Sequence, residues 1–230
     1  MREPAEQHDP VTDPSLRAQL LATEHWSLLA TRSMTMSEML TRISTFLMLV
    51  SSSIVGLALV AQVTRFDQRF LIFALVLLGA LVVVGTMTGR RVGSASLEDL
   101  ALVIGMNRIR AGYLELDPGL ERFLVTSAHD DPSSIWQTYN HLLGPRMFSN
   151  ILASSGTFIT FITAGLTAAF VALGAVALSA PGWAVWVSAS AGGVLYVALS
   201  VLSGRRQYKR ISRTVLFPAP DATTPSAVDP

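Results

Sequence analysis

Residues 147 to 204 form a run of 58 consecutive positions without a single Asp, Glu, Lys, Arg or His. Two shorter uncharged runs, 43–64 and 70–89, contain 22 and 20 residues. A helix needs about 20 apolar residues to cross the hydrocarbon core of a bilayer, which is roughly 30 Å thick. The longest run is too long for one crossing and suits two. Pro181-Gly182 is its natural break, because proline ends a helix and glycine permits a turn.

These lengths predict an all-α fold with four transmembrane helices arranged as two hairpins, near 43–64, 69–89, 153–178 and 183–203. Half of the chain is apolar and only 14% is charged, whereas a soluble domain carries about 25% charged residues. The eleven Ile, Leu, Val and Phe residues of the first run each favour insertion by about 0.3 to 0.6 kcal/mol near the helix centre. No charged residue opposes them.

Basic residues are distributed unevenly around the four predicted spans. Fifteen of the 17 lie in the two termini and the central segment, and only Arg65 and Arg69 lie in the turns between paired spans. The positive-inside rule therefore places both termini and the central segment in the cytoplasm. The residues expected to contact lipid headgroups or hold this orientation are Arg90, Arg91, Arg205, Arg206, Lys209, Arg210 and Arg213.

The segments outside the spans show helix-start signals. Asp13-Pro14, Asp117-Pro118 and Asp131-Pro132 each place a capping aspartate before a proline, and Ser96-Leu97-Glu98-Asp99 resembles a capping box. They predict helices at 14–42, 96–116, 118–127 and 132–150. The organisation expected is a disordered segment 1–13, a cytoplasmic helix 14–42, a hairpin 43–89, a cytoplasmic helical segment 90–150, a hairpin 151–203 and a basic, then disordered, tail 204–230.

Two of the predicted cytoplasmic helices carry an apolar stripe at helical spacing. The stripe of the first helix continues without interruption into the first span, so one long helix is expected there. Its members are Leu21, His25, Leu28, Arg32, Met36, Met39 and Ile43. The stripe of the second helix consists of Leu102, Met106, Ile109, Tyr113 and Leu116.

Motifs that carry chemistry are scarce. The chain has no cysteine, which excludes disulfides, thiolate nucleophiles and cysteine-held metals, and it has no nucleotide-binding, HExxH or GxSxG motif. Its net charge of +1 gives no indication of nucleic-acid binding. The chain is therefore predicted not to be an enzyme and to need no cofactor.

Two small clusters contain histidine. His129, Asp130, Asp131 and His141 are weak metal-ligand candidates, and the competing interpretation is that Asp131 caps a helix while the others are solvated. Glu24-His25-Trp26 is interpreted either as a seam between helices or as an interfacial, pH-responsive contact.

Small residues four apart within the spans allow helix backbones to approach closely. They predict tight packing within the chain or between copies, and the last span is expected to be a contact face. These helix-packing candidates are Ser52, Gly56, Gly85, Gly89, Gly165, Ala169, Ser188, Ala189, Gly192 and Gly193.

Hydroxyl side chains provide a second interpretation of the spans. Between protomers they would line a pore, or else they bond to carbonyls of their own helix or hold helices together. These candidates are Ser51, Ser52, Ser53, Thr157, Thr160, Thr163 and Thr167. No Asp, Glu, Lys, Arg or His lies within the uncharged runs that form the spans, which disfavours an ion-coupled carrier.

The stretches Glu24-His25-Trp26-Ser27-Leu28-Leu29-Ala30 and Met106-Asn107-Arg108-Ile109-Arg110, with the two spans between them, resemble a bacterial family of multi-pass inner-membrane proteins without a named activity. The resemblance covers about the first 130 residues and implies a bacterial inner membrane. We therefore expect a non-enzymatic inner-membrane protein, embedded in the lipid bilayer and forming homo-oligomers, with a scaffolding, sensing or membrane-response role. The alternative is an oligomeric ion channel or pore-forming effector.

Overall fold

The computed structural model describes residues 13–140 and 155–211. The described residues are mostly helical and contain no strand. The elements are α1 (Pro14–Thr64), α2 (Gln68–Leu116), a 3-10 helix (Pro118–Phe123), α3 (Pro132–Asn140), α4 (Ser155–Ala177) and α5 (Gly182–Ile211). The all-α prediction is thus confirmed for this part of the chain.

Four of these helices, α1, α2, α4 and α5, are long and apolar enough to cross a membrane. They overlap the four spans predicted from the uncharged runs, although positions 153–154 of the third lie outside the described residues, and they indicate a membrane protein. The break between α4 and α5 consists of residues 178–181 and ends at Pro181, immediately before the first residue of α5, Gly182, so it lies where the sequence predicts it. There Ser179 adopts a left-handed backbone with φ 56°, and the amides of Leu178 and Ala180 donate to the last carbonyls of α4.

α1 is one continuous helix of 51 residues, as its unbroken stripe predicts. Leu21, His25, Leu28 and Arg32 lie on its less exposed side. Met36 does not, because its side chain is 42% exposed and Thr35 occupies the shielded position instead. The reason is geometric. Along helices that pack side by side, the contacting positions repeat about every 3.5 residues, so the position after Arg32 on this face is residue 35 rather than 36.

The turn after α1 is made by Arg65 and Phe66, both with positive φ. Asp67 follows and caps α2, because its side chain accepts a hydrogen bond of 3.0 Å from the Phe70 amide. Two residues in the left-handed region reverse the chain without glycine, at the cost of some backbone strain.

α2 differs from the prediction, since 69–89 and 96–116 belong to a single helix of 49 residues. The expected capping box at Ser96 is wrong. Ser96 lies inside the helix, and its hydroxyl donates to the Val92 carbonyl at 2.9 Å. No proline interrupts residues 90–96, and a single internal glycine is insufficient to stop a helix supported by packing on both sides of it.

The three aspartate caps are observed. Asp13 accepts from the Ser15 amide, Asp117 from the Gly119 amide and Asp131 from the Ser134 amide. The helix predicted at 118–127 is wrong beyond position 123, since only the 3-10 helix forms and its chain turns extended at Leu124. The helix expected at 132–150 begins at Pro132 and is described to Asn140.

The chain divides into two compact units. Of the described residues, the first unit contains 13–34 and 99–140, and the second contains 35–98 and 155–211. α1 and α2 contribute to both units. The segment 1–13, predicted as disordered, lies outside the described residues except for Asp13, which caps α1. Of the basic, then disordered, tail 204–230, positions 204–211 form the end of α5 and 212–230 lie outside the described residues.

The second unit has a small core at the meeting point of three helices. Phe46 of α1, Val92 of α2 and Ile159 of α4 are fully buried together with Ile43. Because Gly85 has no side chain, α2 can approach both α1 and α4 closely at this position. A Cβ atom at this position would lie 2.6 Å from Thr163 Oγ1 and 2.8 Å from Phe46 Cζ.

Most of the remaining apolar surface of the second unit is exposed. Val63, Leu178 and Trp186 are 85%, 85% and 77% exposed, and similar residues cover the outer faces of all four helices. A soluble protein rarely leaves so much contiguous apolar surface in water. This distribution is expected for helices surrounded by lipid.

We predict that Gly85→Ala lowers stability by about 1 to 3 kcal/mol, because neither the buried Thr163 nor the buried Phe46 can withdraw. The control is Gly174→Ala, where a Cβ has open space and the helix gains about 1 kcal/mol from the better helix former. Thermal unfolding of both variants in detergent is the measurement. Equal melting temperatures would contradict the three-helix contact.

Candidate functional site

The first unit contains a buried polar cluster, which we define as Asn107, Arg108, Arg110, His129, Asp130 and Thr138. Asn107 is its centre and is fully buried. Its Nδ2 donates to the His129 carbonyl at 2.8 Å, and its Oδ1 accepts from the Arg110 guanidinium at 2.7 Å. The side chain thus connects α2 to the loop before α3.

The candidate metal ligands are engaged in structural contacts. Asp130 is buried and accepts a hydrogen bond of 2.9 Å from Arg108 Nε. Asp131 accepts from both the amide and the hydroxyl of Ser134 at the start of α3. Among the described residues no group of three His, Asp or Glu side chains could hold a metal ion, and His141 lies outside that part of the chain. The capping interpretation of Asp131 is confirmed. The prediction that Asp130 is solvated is wrong, because Arg108 compensates its charge inside the unit.

Further ion pairs connect α1 and α2 in the first unit. Arg32 Nε donates to Asp99 at 2.6 Å, and Arg17 pairs with Glu115. Tyr139 of α3 donates to the same Asp99 at 2.6 Å, and the Arg32 guanidinium lies 5.9 Å from the Tyr139 ring centroid. The side chains of α1, α2 and α3 therefore meet around Asp99.

The same two helices approach closely at two glycines of α2. A Cβ at Gly105 would lie 3.1 Å from Leu28, and one at Gly112 would lie 3.2 Å from Leu21. The glycines are seven residues apart, as are the two leucines, which is the spacing of antiparallel helices packed side chain into hole. Sequence reasoning found the leucines but overlooked both glycines, which lie outside the uncharged runs.

His25 lies in this seam, which supports its interpretation as a contact between helices. Its ring stacks on Tyr113 of α2 with centroids 6.2 Å apart. Its Nδ1 is buried and has no hydrogen-bond partner among the described residues. Burial lowers the pKa of His25, and the positive charge of Arg110 lowers it further.

The hydroxyl groups of the second unit bond mainly to their own helices. Thr160, Thr163 and Thr167 donate to the carbonyls four residues earlier, each at 2.8 Å. Ser52 donates to the Met48 carbonyl at 2.9 Å. These contacts favour the backbone-bonding interpretation, while a role of Ser51, Ser53 and Thr157 in a pore stays a prediction.

The small residues of the spans fall into two groups. A Cβ atom at Gly192 would contact Val171, and one at Gly193 would contact Ala164 and Ala168. The glycines of α5 therefore pack against α4 of the same chain. Gly85 and Gly89 contact α4 as well. Gly56 and Gly165 have open space where a side chain would begin. The fourth span is therefore a contact face within the chain, and an additional contact to another copy stays a prediction.

Of the predicted orientation residues, Arg91 forms a network in the second unit. It donates to Glu38 at 3.0 Å and to Glu98 at 2.8 Å. Arg90 and Arg205 are exposed. Arg206, Lys209 and Arg210 lie in the last turns of α5, and Arg213 lies outside the described residues.

No family model, curated protein or solved structure matches this chain. The resemblance to a bacterial membrane family and the predicted absence of enzymatic activity therefore stay predictions.

We expect stability to fall as the pH is lowered. The folded-state pKa of His25 lies below its ordinary value of about 6.5, so the unfolded chain binds more protons and the loss begins near pH 6.5 and continues through the folded-state value. Thermal unfolding between pH 7.5 and 5 measures it. His25→Gln should flatten the profile in this range, and His129→Gln, which preserves the stacked seam, should not. A His25→Gln profile identical to that of the unmodified chain would contradict this assignment.

Proposed function

We propose that this chain is a non-enzymatic, multi-pass protein of the bacterial inner membrane that self-associates and serves a scaffolding, sensing or membrane-response role. The observation that carries this proposal is the exposed apolar surface of the second unit on helices long enough to span a bilayer. Lipid is the environment that makes such a surface stable. Both termini are proposed to lie in the cytoplasm, because 15 of the 17 basic residues fall on that side of the predicted spans.

The side chains of the first unit support a role in organising protein rather than in catalysis. Asp130 is neutralised by Arg108, Asp99 is shared by Arg32 and Tyr139, and Asp131 caps α3. Each of these carboxylates is engaged in holding helices or loops together. A general acid or base needs a position within reach of a substrate proton, and these engagements leave the three carboxylates poorly suited to that task.

Self-association is supported by the open surface at Gly56 of α1 and Gly165 of α4. Each position lets another backbone approach closely, which is how helices associate in lipid. The channel alternative has weaker support, because the hydroxyls of Thr160, Thr163 and Thr167 are already donated to their own helix.

The proposed orientation predicts which introduced cysteines a thiol reagent outside the cell can reach. The chain has no native cysteine, so Leu178→Cys and Val125→Cys each introduce a single thiol at positions 85% and 77% exposed. In intact spheroplasts a membrane-impermeant maleimide should label position 178, and it should label position 125 only after lysis. The opposite pattern would place the termini outside the cell.

Self-association predicts a native mass that is a multiple of 24.7 kDa after correction for bound detergent. Light scattering coupled to size-exclusion chromatography measures it. Gly56→Leu or Gly165→Leu should reduce that mass while the single chain stays folded, because both sites have room within the chain. Gly174→Leu is the matched control, since its Cβ also meets open space but it belongs to no predicted packing pair.

A strictly monomeric chain would contradict both self-association and a pore between protomers. If the chain is oligomeric, reconstituted liposomes separate the two roles. An ion leak that depends on Thr157 and Thr160 would favour the channel, whereas tight liposomes support the scaffolding or sensing role.

A further inference from the structure

α1 carries a second packing stripe beside the seam that it forms with α2. The seam positions of α1 in the first unit are Leu21, His25, Leu28 and Arg32. Each of them is followed by one member of the second stripe, which we call the outer face and define as Ala22, Trp26, Leu29 and Ser33. One residue corresponds to about 100° around a helix, so the two stripes of α1 point to two different sides.

The seam is covered by α2, whereas the outer face is exposed. Trp26 is 73% exposed, and Leu29 and Ser33 are exposed as well. In the second unit, Met36 and Leu40 continue the same steps of three and four residues, and both are exposed there. These steps are the spacing of helices packed side chain into hole. The partner that fits the outer face is therefore a helix with the same repeat.

The outer face carries no charge. Thr23 and Ala30, which flank it on the side away from the seam, are small and uncharged as well. In a two-fold contact each residue lies near its own copy, so a charged residue on this face would meet a like charge. The composition of the face avoids that repulsion, and it offers no counter-charge to an acidic or basic partner.

Insertion into a membrane fixes how two copies meet. α1 continues without a break into a segment that is long and apolar enough to cross a bilayer. Because every copy enters the bilayer in the same direction, two α1 helices run parallel, and Trp26 of each stands at the same distance from the lipid. Identical stripes then meet in register, as a parallel coiled coil requires.

We propose that the outer face of α1 binds the outer face of a second copy of this chain, with the two α1 helices parallel. Trp26 and Leu29 form the centre of the contact, and tryptophan is among the side chains that contribute most to protein interfaces. The proposal rests on the self-association described under the proposed function and assigns a surface of the first unit to it.

The first arm of the test introduces one thiol into a chain that has no cysteine. Ser33→Cys places it on the outer face, and Ser27→Cys, about 120° away around the same helix, is the matched control. Both serines are exposed and belong to the first unit. Oxidation with copper phenanthroline in native membranes should link Ser33→Cys into a species of twice 24.7 kDa. Ser27→Cys should give about tenfold less, because a disulfide forms only between closely spaced Cα atoms.

The second arm compares two exposed leucines of α1 in the first unit. Leu29→Glu places a carboxylate on the outer face, whereas Leu20→Glu places one on the opposite side of the helix. Two like charges across the contact should weaken the association about tenfold or more, measured as a fall in native mass on dilution in detergent. Leu20→Glu should keep the mass of the unmodified chain, and circular dichroism checks that both variants stay helical.

The possible failures are distinguishable. A strictly monomeric unmodified chain would overturn self-association itself, and this contact with it. An oligomeric chain in which Ser33→Cys links no better than Ser27→Cys, or in which both glutamate variants keep the native mass, would overturn the outer-face contact alone. Quenching by brominated lipids of a bimane label on the Ser33→Cys thiol would also overturn it, because the face would then lie on the bilayer.

Discussion

Uncharged helical surface is stable only where water is absent, and the second unit depends on this condition. Its helices satisfy their backbone groups internally, and its threonine hydroxyls bond to carbonyls one turn earlier. Very little apolar surface is buried inside the unit itself, so contacts such as Gly85 against Phe46 and Thr163 carry much of its specific packing. Van der Waals fit replaces the hydrophobic effect as the force that holds such helices together.

The first unit follows different physical rules. Its helices are held by leucines packed on Gly105 and Gly112 and by carboxylates that pair with partly buried arginines. Buried ion pairs contribute more to specificity than to stability in some proteins. Here they fix which faces of α1, α2 and α3 meet, because a shift along the helices would separate Asp99 from Arg32 of α1 and from Tyr139 of α3.

The sequence predicted helices better than it predicted their ends. Uncharged length and the Pro181-Gly182 break located the candidate spans, and proline after aspartate located three caps. The predicted helix start at Ser96 is wrong, because a capping box is a local pattern and a helix that is packed along its length continues through it. The prediction that Met36 lies on the shielded face of α1 is wrong, because contacting positions along packed helices repeat at a shorter spacing than in an isolated helix.

The sequence by itself determined the class of environment, the number of candidate spans and the positions of the caps, since each depends on short segments and on composition. Only the tertiary structure decided which polar groups are compensated. Asn107 is unremarkable in sequence yet buried, and its partners His129 and Thr138 lie on the loop and helix that follow 22 and 31 residues later. Asp130 stands out in the sequence as a possible metal ligand, yet it is buried against Arg108 of α2, 22 residues earlier. Among the described residues Arg110, unlike Arg108, has no carboxylate partner, and such a difference is visible only when side chains are placed in space.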